Sequence, residues 1–117
     1  AGTRVELRCP DPAANPYLVL AVCLEAGLDG IRNQITPPDA VTENVFEMQL
    51  QQRAKLGIES LPGDLEQAVE ELEKDDYIKS VLGGHITEKY LEAKKAEWAD
   101  YRAQVTEWEI EKYLYKI

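Results

Sequence analysis

The sequence predicts a mainly α chain opened by one N-terminal β-strand. Three observations carry this. Arg4-Val5-Glu6-Leu7-Arg8 alternates charged with apolar, Leu65, Ala68, Val69 and Leu72 recur at i, i+3, i+4 and i+7, and cap and turn residues punctuate the chain after residue 9.

Residues 1–9 are the strand. Alternate side chains of an extended chain point to opposite faces, so Arg4, Glu6 and Arg8 share one side at spacings of roughly 6.5 to 7 Å, with Val5 and Leu7 on the other. Pro10 and Pro12 cannot continue sheet pairing and bend the chain away. Asn15 before Pro16 reads as N-cap and first helical residue, because Asn accepts from a free amide and Pro has none to leave unpaired. The helix from Pro16 to Ile31 is apolar nearly all round until Glu25, so it needs cover on most sides. If this chain does not provide that cover, a missing domain or a neighbouring molecule must.

Residues 33–43 contain Thr36-Pro37-Pro38-Asp39 and form an ordered, irregular loop. A short helix spans Met48 to Leu56 and stops at Gly57. Leu61-Pro62-Gly63-Asp64 turns into an amphipathic helix capped by Asp64. Another short helix runs from Asp75 to Leu82 and closes at Gly83-Gly84. The longest starts at His85 or Ile86 and reaches Gln104, with Ile86, Tyr90, Ala93, Trp98, Tyr101 and Val105 as its buried stripe and Glu88, Lys89, Glu92, Lys95 and Arg102 outside. Thr106 and Glu109 make a capping-box pattern opening a last helix through Trp108, Ile110, Tyr113 and Leu114.

A chain of 117 residues is expected to form one domain whose single core buries roughly two thirds of the unfolded surface. Thirteen basic against twenty-two acidic residues give a net charge of −9, without the clustered basic face that nucleic acid requires. The two cysteines, Cys9 and Cys23, make no disulfide framework or ligand spacing, and Cys23 reads as a small hydrophobe. A reducing cytoplasm is the expected compartment. The longest apolar run, Tyr17 to Leu24, falls well short of the roughly twenty residues that span a bilayer. Ala1-Gly2-Thr3 lacks an initiator methionine and leads directly into the strand, from which an expressed fragment is expected.

Arg4, Glu6 and Arg8 are the residues that point to chemistry. A carboxylate offers hard oxygen to a divalent cation, and guanidinium forks match phosphate oxygens. A solvated edge-strand face has the same pattern, so spacing alone leaves both readings open. His85 has no second ligand at metal spacing and reads as a capping or packing residue. Trp98 and Trp108 read as core or interface anchors. Glu70-Glu71 and Asp75-Asp76 lack the glycine and alternating oxygens of a calcium loop and read as solvated faces.

The run Arg4-Val5-Glu6-Leu7-Arg8-Cys9-Pro10-Asp11-Pro12-Ala13-Ala14-Asn15-Pro16-Tyr17, with Ala26-Gly27-Leu28-Asp29-Gly30-Ile31, resembles the last catalytic strand and following helix of bacterial-type (type I) glutamine synthetases. The likeness continues through Leu61-Pro62-Gly63, the helix from Glu88-Lys89-Tyr90 to Trp98, and Gln104-Val105-Thr106-Glu107-Trp108-Glu109. It implies a helical C-terminal subdomain of the catalytic domain with one N-terminal strand. Residues 1–9 would be the last active-site strand, 14–104 the helical subdomain and 105–117 an interface tail.

The resemblance further implies ATP-dependent ligation of ammonia to glutamate. Glu6 corresponds to the strand glutamate that helps hold Mg2+ or Mn2+ at the ATP phosphates, Arg4 to an arginine aimed at those phosphates, and Arg8 to the one facing glutamate and the transferred phosphoryl group. The other ligands, the nucleotide pocket and the ammonium site would lie upstream of Ala1, so the chain alone is expected to be inactive, with millimolar or weaker affinity for magnesium. The tail would dock into the opposite ring of a dodecamer built from two hexamers. In many members an Asn-x-Tyr loop carries a tyrosine that accepts AMP. Here Asn44-Val45-Phe46 has no hydroxyl, which excludes adenylylation at this position and makes Phe46 a packing residue; regulation by feedback ligands or protein partners is expected instead.

Two other readings compete: a stand-alone helical interaction module derived from such an enzyme, and a small regulator of it. An upstream reading frame of some hundreds of residues separates the first reading from both. A strand without its neighbours keeps unpaired amides, so residues 1–9 are expected to pair with another edge or to be disordered.

Overall fold

A computed structural model describes residues 2–114 and 116. Ala1, Tyr115 and Ile117, which belong to the expected strand and tail, lie outside the described residues. The chain is mainly helical: α1 (Pro16–Arg32), α2 (Leu50–Lys55), α3 (Leu65–Lys74), α4 (Asp76–Leu82), α5 (Gly84–Arg102) and α6 (Glu107–Glu109), with a 3-10 turn at Val45–Glu47 and a π-helical turn at Ile110–Leu114. The elements fall into two compact units, one ending at Pro62 and one beginning at Gly63.

In the first unit the strand expected at 1–9 is not formed by the described residues 2–9. A strand exists through hydrogen bonds to a second extended segment, and none is present among the described residues. Asn15 caps α1, its Oδ1 accepting from the amides of Tyr17 (3.0 Å) and Leu18 (3.3 Å), with Pro16 at the first position. The helix ends in a Schellman arrangement: the Ile35 amide donates to the Gly30 carbonyl (2.9 Å), the Gln34 amide donates to that of Ile31 (3.2 Å), and Gln34 has φ 53°. The same arrangement closes α2 with Gly57 at φ 66°, the Ile58 amide donating to the Arg53 carbonyl at 2.9 Å. Met48 is the unit's buried apolar residue among those described.

Phe46 does not pack as expected: it is 89% exposed. The loop is held by its backbone instead, since Asn44 Oδ1 accepts from the Phe46 amide (3.1 Å) and Arg53 Nη2 donates to the Phe46 carbonyl (3.4 Å).

In the second unit α3, α4 and α5 pack on one another. Asp64 Oδ1 accepts from the Gln67 amide (2.9 Å), and Gln67 Oε1 accepts from the Gly63 amide (3.0 Å). Asp75 both ends α3 and caps α4, accepting from the Ile78 amide at 2.9 Å. Gly83, at φ 77°, separates α4 from α5.

The inner stripe of α5 differs from the expected one. Thr87 is buried and Tyr90, Leu91, Lys94 and Trp98 are half-buried, while Ile86, Ala93, Tyr101 and Val105 are exposed. The helix is turned by about one position because Thr87 Oγ1 donates to the Lys79 carbonyl of α4 (3.3 Å) and because Lys95 and Arg102 reach Glu73 and Glu66 of α3. The tail opens with the expected capping box: the Thr106 amide donates to Glu109 Oε2 at 2.8 Å, and the Glu109 amide donates to Thr106 Oγ1 at 3.3 Å. Beyond Glu109 the helix widens to the i→i+5 form, which brings residues five apart to one side. Trp108 and Tyr113 meet there edge to face, with centroids 5.8 Å apart.

Candidate functional site

Arg4, Glu6 and Arg8 lie two residues apart, and their side chains meet in ion pairs. Arg4 Nη2 is 3.5 Å from Glu6 Oε2, and the Arg8 guanidinium donates to Glu6 Oε1 through Nε. One carboxylate thus bridges two guanidiniums. The three side chains are 69%, 46% and 85% exposed in order of residue number, so these are surface ion pairs worth about 0 to 1 kcal/mol. Pairs that weak exchange partners at small cost. The row is able to turn both arginines to phosphate oxygens and free the carboxylate for a cation.

These residues do not by themselves make a metal site. Magnesium or manganese needs several oxygen donors, and among the described residues no group of three His, Cys, Asp or Glu side chains converges. Glu6 supplies one donor, so no reaction step is derived through an ion held by this chain alone.

The other candidates stand apart from this row in chemistry. His85 is exposed in the first turn of α5. Lys74 pairs with Glu71 at 2.9 Å, which raises its pKa, and Asp76 pairs with Lys79 at 2.8 Å, which lowers the carboxyl's pKa. Glu71 and Asp76 are thus each paired with a lysine on a solvated helix surface, and Asp75 serves as the cap of α4.

Trp98 lines a groove of about 220 Å3 between α3 and α5 with Glu66, Glu73, Lys95 and Arg102. Its Nε1 is buried without a hydrogen-bond partner among the described residues. The sequence held a signal for this groove that spacing arguments missed: Glu66 and Glu73 are seven apart, as are Lys95 and Arg102. Two antiparallel helices pair such residues crosswise, as the Glu73–Lys95 and Glu66–Arg102 bridges do.

Among the described residues, no helix is long and apolar enough to cross a membrane. The family described as glutamine synthetase, catalytic domain, matches residues 1–113. A glutamine synthetase of Clostridium saccharobutylicum is 53% identical over 116 residues, covering 99% of this chain and 26% of the relative. The glutamine synthetase of Thermotoga maritima is 53% identical over 113 residues (97% and 26%), and that of Methanocaldococcus jannaschii 51% over 112 residues (96% and 25%). The chain spans about a quarter of the length of these curated relatives. An ordered row of two arginines about a glutamate, at the head of a match that runs through nearly the whole chain, places it in one family: this chain belongs to the glutamine synthetase catalytic-domain family.

Proposed function

We propose that the chain is the C-terminal part of a glutamine synthetase, contributing the last active-site strand (1–9), a helical subdomain (14–104) and an assembly tail (105–117). The parent enzyme joins ammonia to glutamate in two displacements. A γ-carboxylate oxygen of glutamate attacks the γ-phosphorus of ATP, the bond to the bridging oxygen breaks, and ADP leaves with that electron pair. Ammonia, already stripped of one proton from ammonium, then attacks the acyl phosphate carbon, loses a second proton, and expels inorganic phosphate to leave glutamine.

Negative charge gathers on the phosphoryl oxygens in the first step, and fixed cations stabilise it without proton transfer. Arg8 faces the glutamate carboxylate and the phosphoryl group in flight, and Arg4 holds the nucleotide phosphates. A divalent ion, Mg2+ or Mn2+, when bound neutralises ATP phosphate charge, and Glu6 is one of its several ligands. Ligands from the rest of the parent complete that site, so the isolated chain forms no glutamine.

The observation that carries this reading is the convergence of Arg4, Glu6 and Arg8 on one face. The test uses the full-length enzyme. Arg8→Ala is expected to lower kcat by about 10²- to 10³-fold, Glu6→Gln to raise the Mg2+ or Mn2+ concentration for half-maximal activity, and Arg4→Ala to act chiefly on KM for ATP. Wild-type kinetics in all three variants would refute it.

The tail belongs to assembly. Trp108, Tyr113 and Leu114 are exposed on a terminal turn too short to be stable alone, and they suit a contact between rings of the cytoplasmic dodecamer. The second reading, a stand-alone helical interaction module, draws on the exposed apolar residues of α1. A start codon close to Ala1 would favour it.

A further inference from the structure

Helices α3 and α5 enclose a groove of about 220 Å3 in the second unit, and the chemistry of residues 4, 6 and 8 does not draw on it. Each helix lines it with one face. Glu66, Val69, Glu70 and Glu73 stand at i, i+3, i+4 and i+7 on α3, and Lys95, Trp98, Ala99 and Arg102 keep the same spacing on α5. Ion pairs close both ends, Glu73 with Lys95 at one and Glu66 with Arg102 at the other. Between them the lining is apolar, from buried Val69, Ala99 and the Trp98 indole.

Glu70 is the charge left over. The groove is lined by three carboxylates and two cations, and both cations are engaged at its ends. The partner of Glu70 among the described residues is Lys74 at 4.0 Å, and Lys74 lies closer to Glu71, at 2.9 Å. A weakly paired carboxylate therefore shares the middle of the groove with an indole. That combination suits a cation on an apolar stem: the carboxylate takes the charge, the aromatic ring attracts it, and Val69 and Ala99 cover the methylenes. A planar guanidinium stacks on an aromatic ring and meets two carboxylate oxygens at once, which an ammonium does not. The volume falls below the roughly 300 to 1,000 Å3 of an ordinary small-molecule pocket and suits a single side chain.

The recognition surface also continues outside the groove. Tyr101 is exposed and stacks on Trp98 with ring centroids 5.8 Å apart, and the net charge of −9 draws basic partners. Arginine and aromatic anchors seated in small pockets carry much of the binding energy of protein interfaces.

We propose that the α3–α5 groove is a docking site for an arginine side chain of a partner polypeptide, with its guanidinium held between the Glu70 carboxylate and the Trp98 ring. The groove shares no residue with the 4–8 row, so the inference stands apart from the proposed function.

The test is isothermal titration of the full-length enzyme with an acetylated, amidated Ala-Arg-Ala tripeptide. Saturable binding is expected, weakened at least about tenfold by Glu70→Gln, which removes one charge-assisted contact, and abolished by Glu70→Lys. Glu70 is exposed, so both variants are expected to melt as the wild type does. Glu71→Gln, outside the groove, and Glu6→Gln, in the 4–8 row, are expected to leave tripeptide binding unchanged. Absence of saturable binding to the wild type, or equal binding to the Glu70→Gln enzyme, overturns the proposal. So does n-butylguanidinium that binds as tightly as the tripeptide, since a free alkylguanidine is then the occupant. None of these readouts needs catalysis, so loss of activity in variants at 4, 6 and 8 bears on the proposed function alone.

Discussion

Glu6 holds Arg4 and Arg8 on its two oxygens in a setting open to water, and in the proposed function that openness lets both guanidiniums change partners. Screened pairs of this kind are easily exchanged, so the guanidiniums stay available to phosphate oxygens. Geometry matters more than charge at Arg8, because a planar fork meets two oxygens and an ammonium meets one. Arg8→Lys in the full-length enzyme is therefore expected to retain KM for ATP within about threefold yet lose kcat by at least about tenfold, read from steady-state kinetics. Phe46 offers a second test. Its exposed ring has no hydroxyl, so incubation with an adenylyltransferase and ATP should leave the wild type free of AMP at residue 46, whereas Phe46→Tyr should accept it; mass spectrometry reads both outcomes. The two-residue spacing of Arg4, Glu6 and Arg8 was legible in the sequence, and their ion pairs agree with it, whereas the strand expected around them is not formed by the described residues. Phe46 was misread as packing because the bonds that hold its loop, from Asn44 and Arg53, involve the Phe46 backbone rather than its ring.

Helix ends were readable wherever one residue type dominates the local physics. Asn15, Asp64 and Asp75 accept amide hydrogen bonds, and Gly57 and Gly83 take positive φ, as their identities dictate. Gln34 was not readable, since a glutamine in the left-handed region is chosen by the Schellman bonds around it and against its own preference. Gln34→Gly is expected to stabilise the end of α1 by about 0.5 to 1 kcal/mol, measured by denaturant unfolding of the full-length enzyme; a loss of stability would contradict the motif. The phase of α5 was misjudged because tertiary partners, Lys79, Glu73 and Glu66, choose its inner face. At the tail, the Thr106 amide and then its hydroxyl hold the Glu109 carboxyl below the ordinary range. A carboxyl lowered in the folded state stabilises the cap above its ordinary, unfolded value and loses that contribution as pH falls through the folded value. Acidification from the ordinary glutamate range downward should thus fray the tail, seen as a Trp108 fluorescence transition that Thr106→Ala shifts to higher pH.

Across the described residues only Met48, in the first unit, and Val69, in the second, are buried apolar side chains, and Thr87 is the buried polar one. Burial is what offsets chain entropy, so the isolated chain is expected to melt broadly and to bind a hydrophobic dye strongly, whereas the full-length enzyme melts cooperatively. A sharp, dye-silent transition of the isolated chain would show a self-sufficient core. The sequence reading expected such a core from length alone. Length and composition do not determine burial, and here large apolar side chains of α1 such as Leu20 and Leu24 stay exposed. The central claim is that residues 4, 6 and 8 face the phosphates and the ion of the parent active site. Anomalous diffraction from crystals of the full-length enzyme with Mn2+ and a non-hydrolysable ATP analogue tests it most directly. A manganese peak at about 2.1 Å from a Glu6 carboxylate oxygen, with Arg4 and Arg8 on phosphate oxygens, is the predicted result; manganese bound while Glu6 points away from it would contradict the account.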